Sequence, residues 1–191
     1  MKICVFGASG HELDRAYFDA AAELGRLLGR QGHTLVFGAG DRGLMGACAH
    51  AAAAEGAEII GVAPRFFDEP GILYQSCSRL ILTETMRERK ALMEELAEAF
   101  IVMPGGIGTL EEFFEVLTLR QLGRHSKPIA LLNTCGCYDA LLTLLQRTAR
   151  ERFMSADCLS LFALCPDPSS ALAYALQPQE PVRRSLRDYT K

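Results

Sequence analysis

The sequence predicts an α/β fold in which a single domain holds one doubly wound, mainly parallel sheet with helices on both faces. Two observations carry this. Apolar strand, turn and amphipathic helix recur along the chain, and strands that alternate with helices pair in parallel and are covered on both sides. The 191 residues, 49% apolar and 23% charged, suit one sizeable core, with no internal repeat or linker-like run to divide it.

The elements follow in order. "KICVFGA" (Lys2–Ala8) is the first strand, and Asp14–Arg30 the first helix, closed by Gly32. "TLVFG" is the second strand, and the alanine-rich "GLMGACAHAAAAEG" is a helix ending at Gly56. "AEIIGVA" is the third strand and "RLILTE" the fourth, with a helix from Thr85 to Glu98. "AFIVMP" precedes a helix over Thr109–Leu122, and "KPIALLN" precedes one over Tyr138–Glu151. "SLFALC" is a last short strand with a short helix after it. The domain is expected over residues 1–177, with a frayed polar tail over 178–191. Right-handed crossovers give this order a Rossmann-like topology, whose ligands sit beyond the carboxyl ends of the strands. The loops after Ala8, Phe37, Ala63 and Met103 are therefore the places to seek a site.

The net charge of −3 lacks the basic excess of a general nucleic-acid binder, so no nucleic-acid partner is expected. No apolar run reaches the ~20 residues of a membrane helix, and the N-terminal stretch is too short for a signal peptide, so the expected place is the cytoplasm, away from membranes. Seven cysteines, an odd number without a C-x-x-C, read as reduced thiols; Cys135 and Cys137 form a C-x-C, a poor spacing for zinc. The four histidines are scattered, and His11-Glu12 lacks the second histidine of a zincin. No metal is expected.

"GAGDRG" (Gly38–Gly43) matches G-x-G-x-x-G in letters. It follows the second strand instead of the first, and the next strand ends without the acidic residue that would hold a ribose hydroxyl. Gly38 and Gly40 read better as the wall of a different nucleotide pocket. "PGGIGT" follows a strand and opens a helix, so Gly105, Gly106 and Gly108 can bring backbone close to a ligand or adopt positive φ, with the helix N-terminus seating a phosphate. No G-K-[ST] follows, so one phosphate fits better than three. A plain strand–helix turn explains the segment equally well.

Thr109 is a good N-cap residue, and Glu112 three positions on completes the T-x-x-E of a capping box. That structural role competes with catalysis by Glu112, and Glu111 can simply face solvent or complement the helix dipole. In "TETMRERKALMEELAEA", Leu92, Met93 and Leu96 form an inward stripe that Arg89 shares, with Met86 one turn back on the same side. An inward arginine needs an anionic partner, either a carboxylate of Glu111 or Glu112 or a phosphate. Arg87, Lys90, Glu94 and Glu98 fall on a solvated face.

"GAGDRGLMG", "MRERK" and "PGGIGTLEE", in this order and spacing, resemble the LONELY GUY family of cytokinin riboside 5′-monophosphate phosphoribohydrolases, once labelled possible lysine decarboxylases. The resemblance runs from Ile3 to Phe153. It implies a Rossmann-like fold, a homodimer or an assembly of dimers, no cofactor, and hydrolysis of the N-glycosidic bond of purine nucleoside 5′-monophosphates to free base and ribose 5-phosphate. It implies Arg89 and Glu112 as the catalytic pair and Gly105, Gly106, Gly108 and Thr109 as the phosphate loop. Glu111, Lys90, Met86, Ser9, Gly38 and Gly40 are the further substrate-binding candidates. The chain departs from the family's pattern at "GASG", at "GAG" in place of three glycines, and in "PRFFDEPGILYQ", the segment expected to border the base. A non-catalytic nucleotide sensor or carrier on the same fold is the alternative. A decarboxylase would need a lysine to hold pyridoxal phosphate, and Lys2, Lys90, Lys127 and Lys191 have no such setting.

Overall fold

The computed structural model describes residues 1–182; the rest of the expected tail lies outside the described residues. Among the described residues, seven strands form one sheet: β1 (Lys2–Phe6), β2 (Thr34–Phe37), β3 (Ile59–Pro64), β4 (Arg79–Thr83), β5 (Ala99–Val102), β6 (Ile129–Leu132) and β7 (Ala163–Cys165). Their order is β4-β3-β2-β1-β5-β6-β7, and every neighbouring pair is parallel. Among the described residues there are six α-helices: α1 (Arg15–Arg30), α2 (Gly43–Ala54), α3 (Met86–Leu96), α4 (Ile107–Gln121), α5 (Asp139–Arg150) and α6 (Pro168–Ala175).

Alternation along β1 shows why both faces are covered. Ile3 and Val5 enter a core with Leu24 and Leu28 of α1, Leu44 of α2 and Leu172 of α6. Cys4 and Phe6 enter the opposite core with Met93 of α3, Phe113 of α4 and Leu145 of α5. The doubly wound expectation holds. The chain runs from β1 outward to β4, then returns to the other side of β1 as β5. That reversal opens a crevice beyond the carboxyl ends of β1 and β5.

Some boundaries differ from the sequence reading. The strand expected through Ala8 ends at Phe6, and the helix expected to Gly56 ends at Ala54. Helix α3 begins after Thr85, which accepts from Glu88 N–H while the Glu88 carboxylate accepts from Thr85 N–H, a capping box the sequence reading did not single out. The box expected at Thr109 and Glu112 does not form. Helix α4 starts two residues earlier, with Gly106 as N-cap and no side-chain cap. The reason is steric. A Cβ at Gly105 would stand 2.1 Å from Thr109 Oγ1, so the missing side chain at 105 lets Thr109 tuck inward, where it is 5% exposed.

Helices α1 and α2 pack closely because glycines remove side chains between them. A Cβ at Gly25 would lie 2.2 Å from the Cys48 carbonyl oxygen, and one at Gly29 2.5 Å from Glu55 Cβ. Backbone cannot yield as a flexible side chain does, so the helices must separate. Gly25→Ala is expected to destabilise the fold by roughly 1–3 kcal/mol, read as a lower urea midpoint with an unchanged m-value; an unchanged midpoint would contradict the close approach.

Candidate active site

Two loops face one another across the crevice. The first follows β1, the second β5, and Ala8 N–H donates to the Pro104 carbonyl at 3.1 Å across them. The end of β5 is anchored from behind by the buried Tyr138 hydroxyl, which donates to the Met103 carbonyl at 2.6 Å. Two helices also point their N-termini this way, and they differ. The Ala8 carbonyl accepts from Leu44 N–H at 2.9 Å and Met45 N–H at 3.4 Å, so the mouth of α2 is filled by the chain itself. Gly43 makes that possible: its φ is +64°, and a Cβ there would stand 2.5 Å from Ala8 O. The mouth of α4 has no side-chain cap, and a Cβ at Gly106 or Gly108 would meet only open space. An anion in the crevice therefore finds its amide donors and positive dipole end at α4. None of Gly105, Gly106 and Gly108 has the positive φ allowed for them in the sequence reading. They act by leaving space.

Arg89 and Glu112 meet here. Arg89 Nη2 donates to Glu112 Oε1 at 2.7 Å, and the two side chains are 11% and 10% exposed. Arg89 Nη1 lies 3.2 Å from Met86 Sδ, and its Nε is buried with no partner. Gly38 gives the guanidinium its place, because a Cβ at that position would sit 2.4 Å from Nη2. Burial pushes the Glu112 carboxyl above its ordinary value of 4.5, and Arg89, by charge and hydrogen bond, holds that rise back. With no threonine cap at 109, Glu112 lies in the second turn of α4 and has no capping task. Glu111 is half exposed and lines the cleft.

Lys90 does not lie on a solvated face. Its side chain is 13% exposed and bridges Glu111 and, at 2.6 Å, Glu115. It is not among the residues lining the cleft.

The cleft has a volume of about 560 Å³ and is lined by Arg89, Met86, Glu111, Glu112, Gly106, Gly108, Thr109 and Ser9, all anticipated from the sequence. Gly105 lies beneath it, against Thr109. Ser9, Met45, Phe67 and Arg89 also line an adjoining chamber of about 340 Å³ that contains Gly38 and Gly40. This chamber adds residues the sequence reading did not pick: His11, Arg42, Met45, Phe67, Ile72 and Leu73. Phe67 and Ile72 belong to the segment expected to border the base; Met45, inside "GLMG", was signalled only by its place in the motif. The segment is held by backbone pairing: Asp41 N–H donates to Ile72 O at 3.0 Å and Tyr74 N–H to Ala39 O at 2.8 Å. Ala39 pairs in this way at a φ of +58°, a left-handed conformation that usually disfavours alanine.

Fold and site together define a Rossmann-like protein with a helix N-terminus open to the cleft beside a buried arginine–glutamate pair. Residues 45–175 match the family described as "Possible lysine decarboxylase", and the chain belongs to that family. It is 39% identical over 171 residues to a cytokinin riboside 5′-monophosphate phosphoribohydrolase of Arabidopsis thaliana, covering 90% of this chain and 80% of that protein. It is 40% identical over 163 residues to an enzyme of the same name from Rhodococcoides fascians, covering 85% and 82%. Among solved structures, the molybdenum cofactor binding protein of Rippkaea orientalis shares the fold at 18% identity, with a TM-score of 0.69 over 90% of this chain and 93% of that one. The decarboxylase in the family's description finds no support in the cleft. No lysine lines it among the described residues, Lys90 is held by carboxylates, and Lys127 Nζ donates to the Glu94 carbonyl at 2.5 Å.

A carboxyl whose folded value is raised binds its proton more tightly in the fold than in the unfolded chain. The stability it confers is present below 4.5 and is lost as pH rises through the raised value. Carbon-13 titration is expected to place the Glu112 midpoint above 4.5. In Gly38→Ala, where the new methyl displaces the guanidinium, the midpoint should rise further; a fall, or no change, would show that Gly38 does not seat Arg89.

Proposed function

We propose that this chain hydrolyses the N-glycosidic bond of purine nucleoside 5′-monophosphates, with adenine or an N6-substituted adenine as base, releasing free base and ribose 5-phosphate. The observation that carries the reading is the buried Arg89–Glu112 pair, one helical turn from the N-terminus of α4, which, unlike that of α2, no chain carbonyl fills among the described residues. The names of the Arabidopsis and Rhodococcoides relatives agree with it.

The 5′-phosphate takes the N-terminus of α4, where Gly106, Gly108 and Thr109 bring backbone amides to it. The ribose then lies toward Glu112, and the base enters the chamber bordered by Met45, Phe67 and Ile72. Breaking the bond from C1′ to the base leaves positive charge on the sugar, as in glycosidase transition states. A carboxylate in a water-poor site opposes that charge or takes the proton of the attacking water. Water's oxygen bonds to C1′ and the base departs with a proton. Arg89 keeps Glu112 ionised against the pull of burial, and its unpartnered Nε is a donor left for substrate. We place the reaction in the cytoplasm, where reduced thiols persist, in keeping with seven free cysteines; no helix of the described residues is long and apolar enough to cross a membrane.

We further propose a homodimer or an assembly of dimers through the outer side of α4. Phe114 of α4 and Leu122 at its C-terminal end are exposed, whereas the apolar surface of α2 is largely used against α1 and the sheet.

Incubation with AMP and N6-isopentenyl-AMP, followed by chromatography, should show free base, and the matching nucleosides should be poor substrates because the phosphate supplies orientation. Equal turnover of adenosine and AMP would sink the reading. Glu112→Gln keeps the shape and removes the negative charge. It should fold, be less stable than the parent because Arg89 is left buried without its counter-charge, and lose ~10²–10⁴ in kcat. A near-parental rate would remove Glu112 from catalysis. Light scattering at micromolar concentration should return a dimer or a multiple of it; a monomer alone would refute the assembly.

A further inference from the structure

The chain's seven cysteines divide sharply. Cys4, Cys48, Cys158 and Cys165 are buried, and Cys77 is half-buried with its thiol on the Tyr74 carbonyl at 3.1 Å. Only Cys135 and Cys137 are exposed, and they stand two residues apart in the turn after β6.

The geometry of that turn brings them together. Cys135 has a φ of +54° and Gly136 one of +72°, so two successive residues are left-handed. A chain folded in this way at its middle residue draws the flanking Cα atoms inside the extended limit of about 7 Å. That is the range of about 4.4–6.8 Å that a disulfide spans. The turn is also fixed. Gly136 N–H donates to Asn133 O at 3.0 Å, Cys137 N–H to Thr134 O at 3.2 Å, and Tyr138 N–H to Asn133 Oδ1 at 2.7 Å. A side chain at Gly136 is disfavoured by its left-handed φ, and a Cβ there would stand 2.6 Å from Asp139 Oδ2. Burial raises the Cys137 thiol and the neighbouring Cys135 raises it further, and the Tyr17 phenol of α1 is raised by burial first and then by the two sulfurs. Nothing in the hydrolytic cleft uses this pair.

We propose that Cys135 and Cys137 are a dithiol site that closes to an intramolecular disulfide by exchange with a small disulfide of the glutathione class. A thiolate at Cys135 attacks one sulfur of the small disulfide and expels the other as a thiol. The mixed disulfide at Cys135 is then attacked by the Cys137 sulfur, which forms the internal S–S bond and expels the second small thiol. One small disulfide is reduced to two thiols, and the chain loses two hydrogens.

The test reads mass and is independent of any activity of the cleft. The full chain is reduced, exchanged with oxidised glutathione, acid-quenched, alkylated and cleaved with trypsin. The fragment between Arg124 and Arg147 holds Cys135 and Cys137 and no other cysteine. The expected fragment carries no alkyl group and no glutathione, weighs two hydrogens less than the dithiol, and returns to the dithiol with dithiothreitol. Cys137→Ser should stop at one glutathione on Cys135. A parent fragment that keeps two alkylated thiols, retains a stable glutathione, or is joined to the fragment holding Cys77 overturns the proposal.

Discussion

Taking an arginine and a glutamate out of water together is tolerable only while they remain paired, and much of the site is arranged to keep Arg89 on Glu112. Either charge alone in that setting would carry a desolvation cost of several kcal/mol. The pair joins α3 to α4, two helices that reach the crevice from different strands. A threonine–glutamate capping box sets the start of α3, Gly38 clears the volume that the guanidinium fills, and Met86 lies against its free edge. The same burial that raises Glu112 makes its negative charge effective. In water, a carboxylate would do little for a cationic sugar; in a cleft with few competing dipoles it does much more.

Much of this was readable from the chain because it depends on local pattern. Apolar runs alternating with helices fixed the parallel sheet. The spacing of Leu92, Met93 and Leu96 put Arg89 on an inward face before any partner was visible. The parts that escaped depend on residues distant in sequence. Lys90 has the spacing of a solvated residue, but Glu111 and Glu115 of α4 cover it. Thr109 has every local mark of an N-cap, yet Gly105 offers its side chain a better place. No rule of composition assigns Gly38 the task of making room for an arginine on a helix two strands away, or tells Ala39 to adopt a left-handed backbone to meet Tyr74.

Glycine serves this fold in two ways that look alike in the sequence. Gly25, Gly29, Gly38 and Gly105 are absences of side chain, each filled by a neighbour's atoms. Gly43 and Gly136 are also conformations, with φ of +64° and +72°. Gly106 and Gly108 are neither crowded nor strained, and their bare backbone faces the cleft. The distinction separates glycines that hold the protein together from those kept for a ligand.

The carbonyl of Ala8 in the mouth of α2 has a consequence for which nucleotides the crevice can tell apart. A dinucleotide or a triphosphate spreads its charge over several groups and needs a row of donors. Here the second set of donors is already occupied by an oxygen of the chain's own backbone, fixed before any ligand arrives. No side-chain substitution removes that oxygen. On the proposed nucleotide reading, the main chain limits the number of phosphates a ligand may bring, while the choice of base falls to side chains such as Phe67 and Arg42.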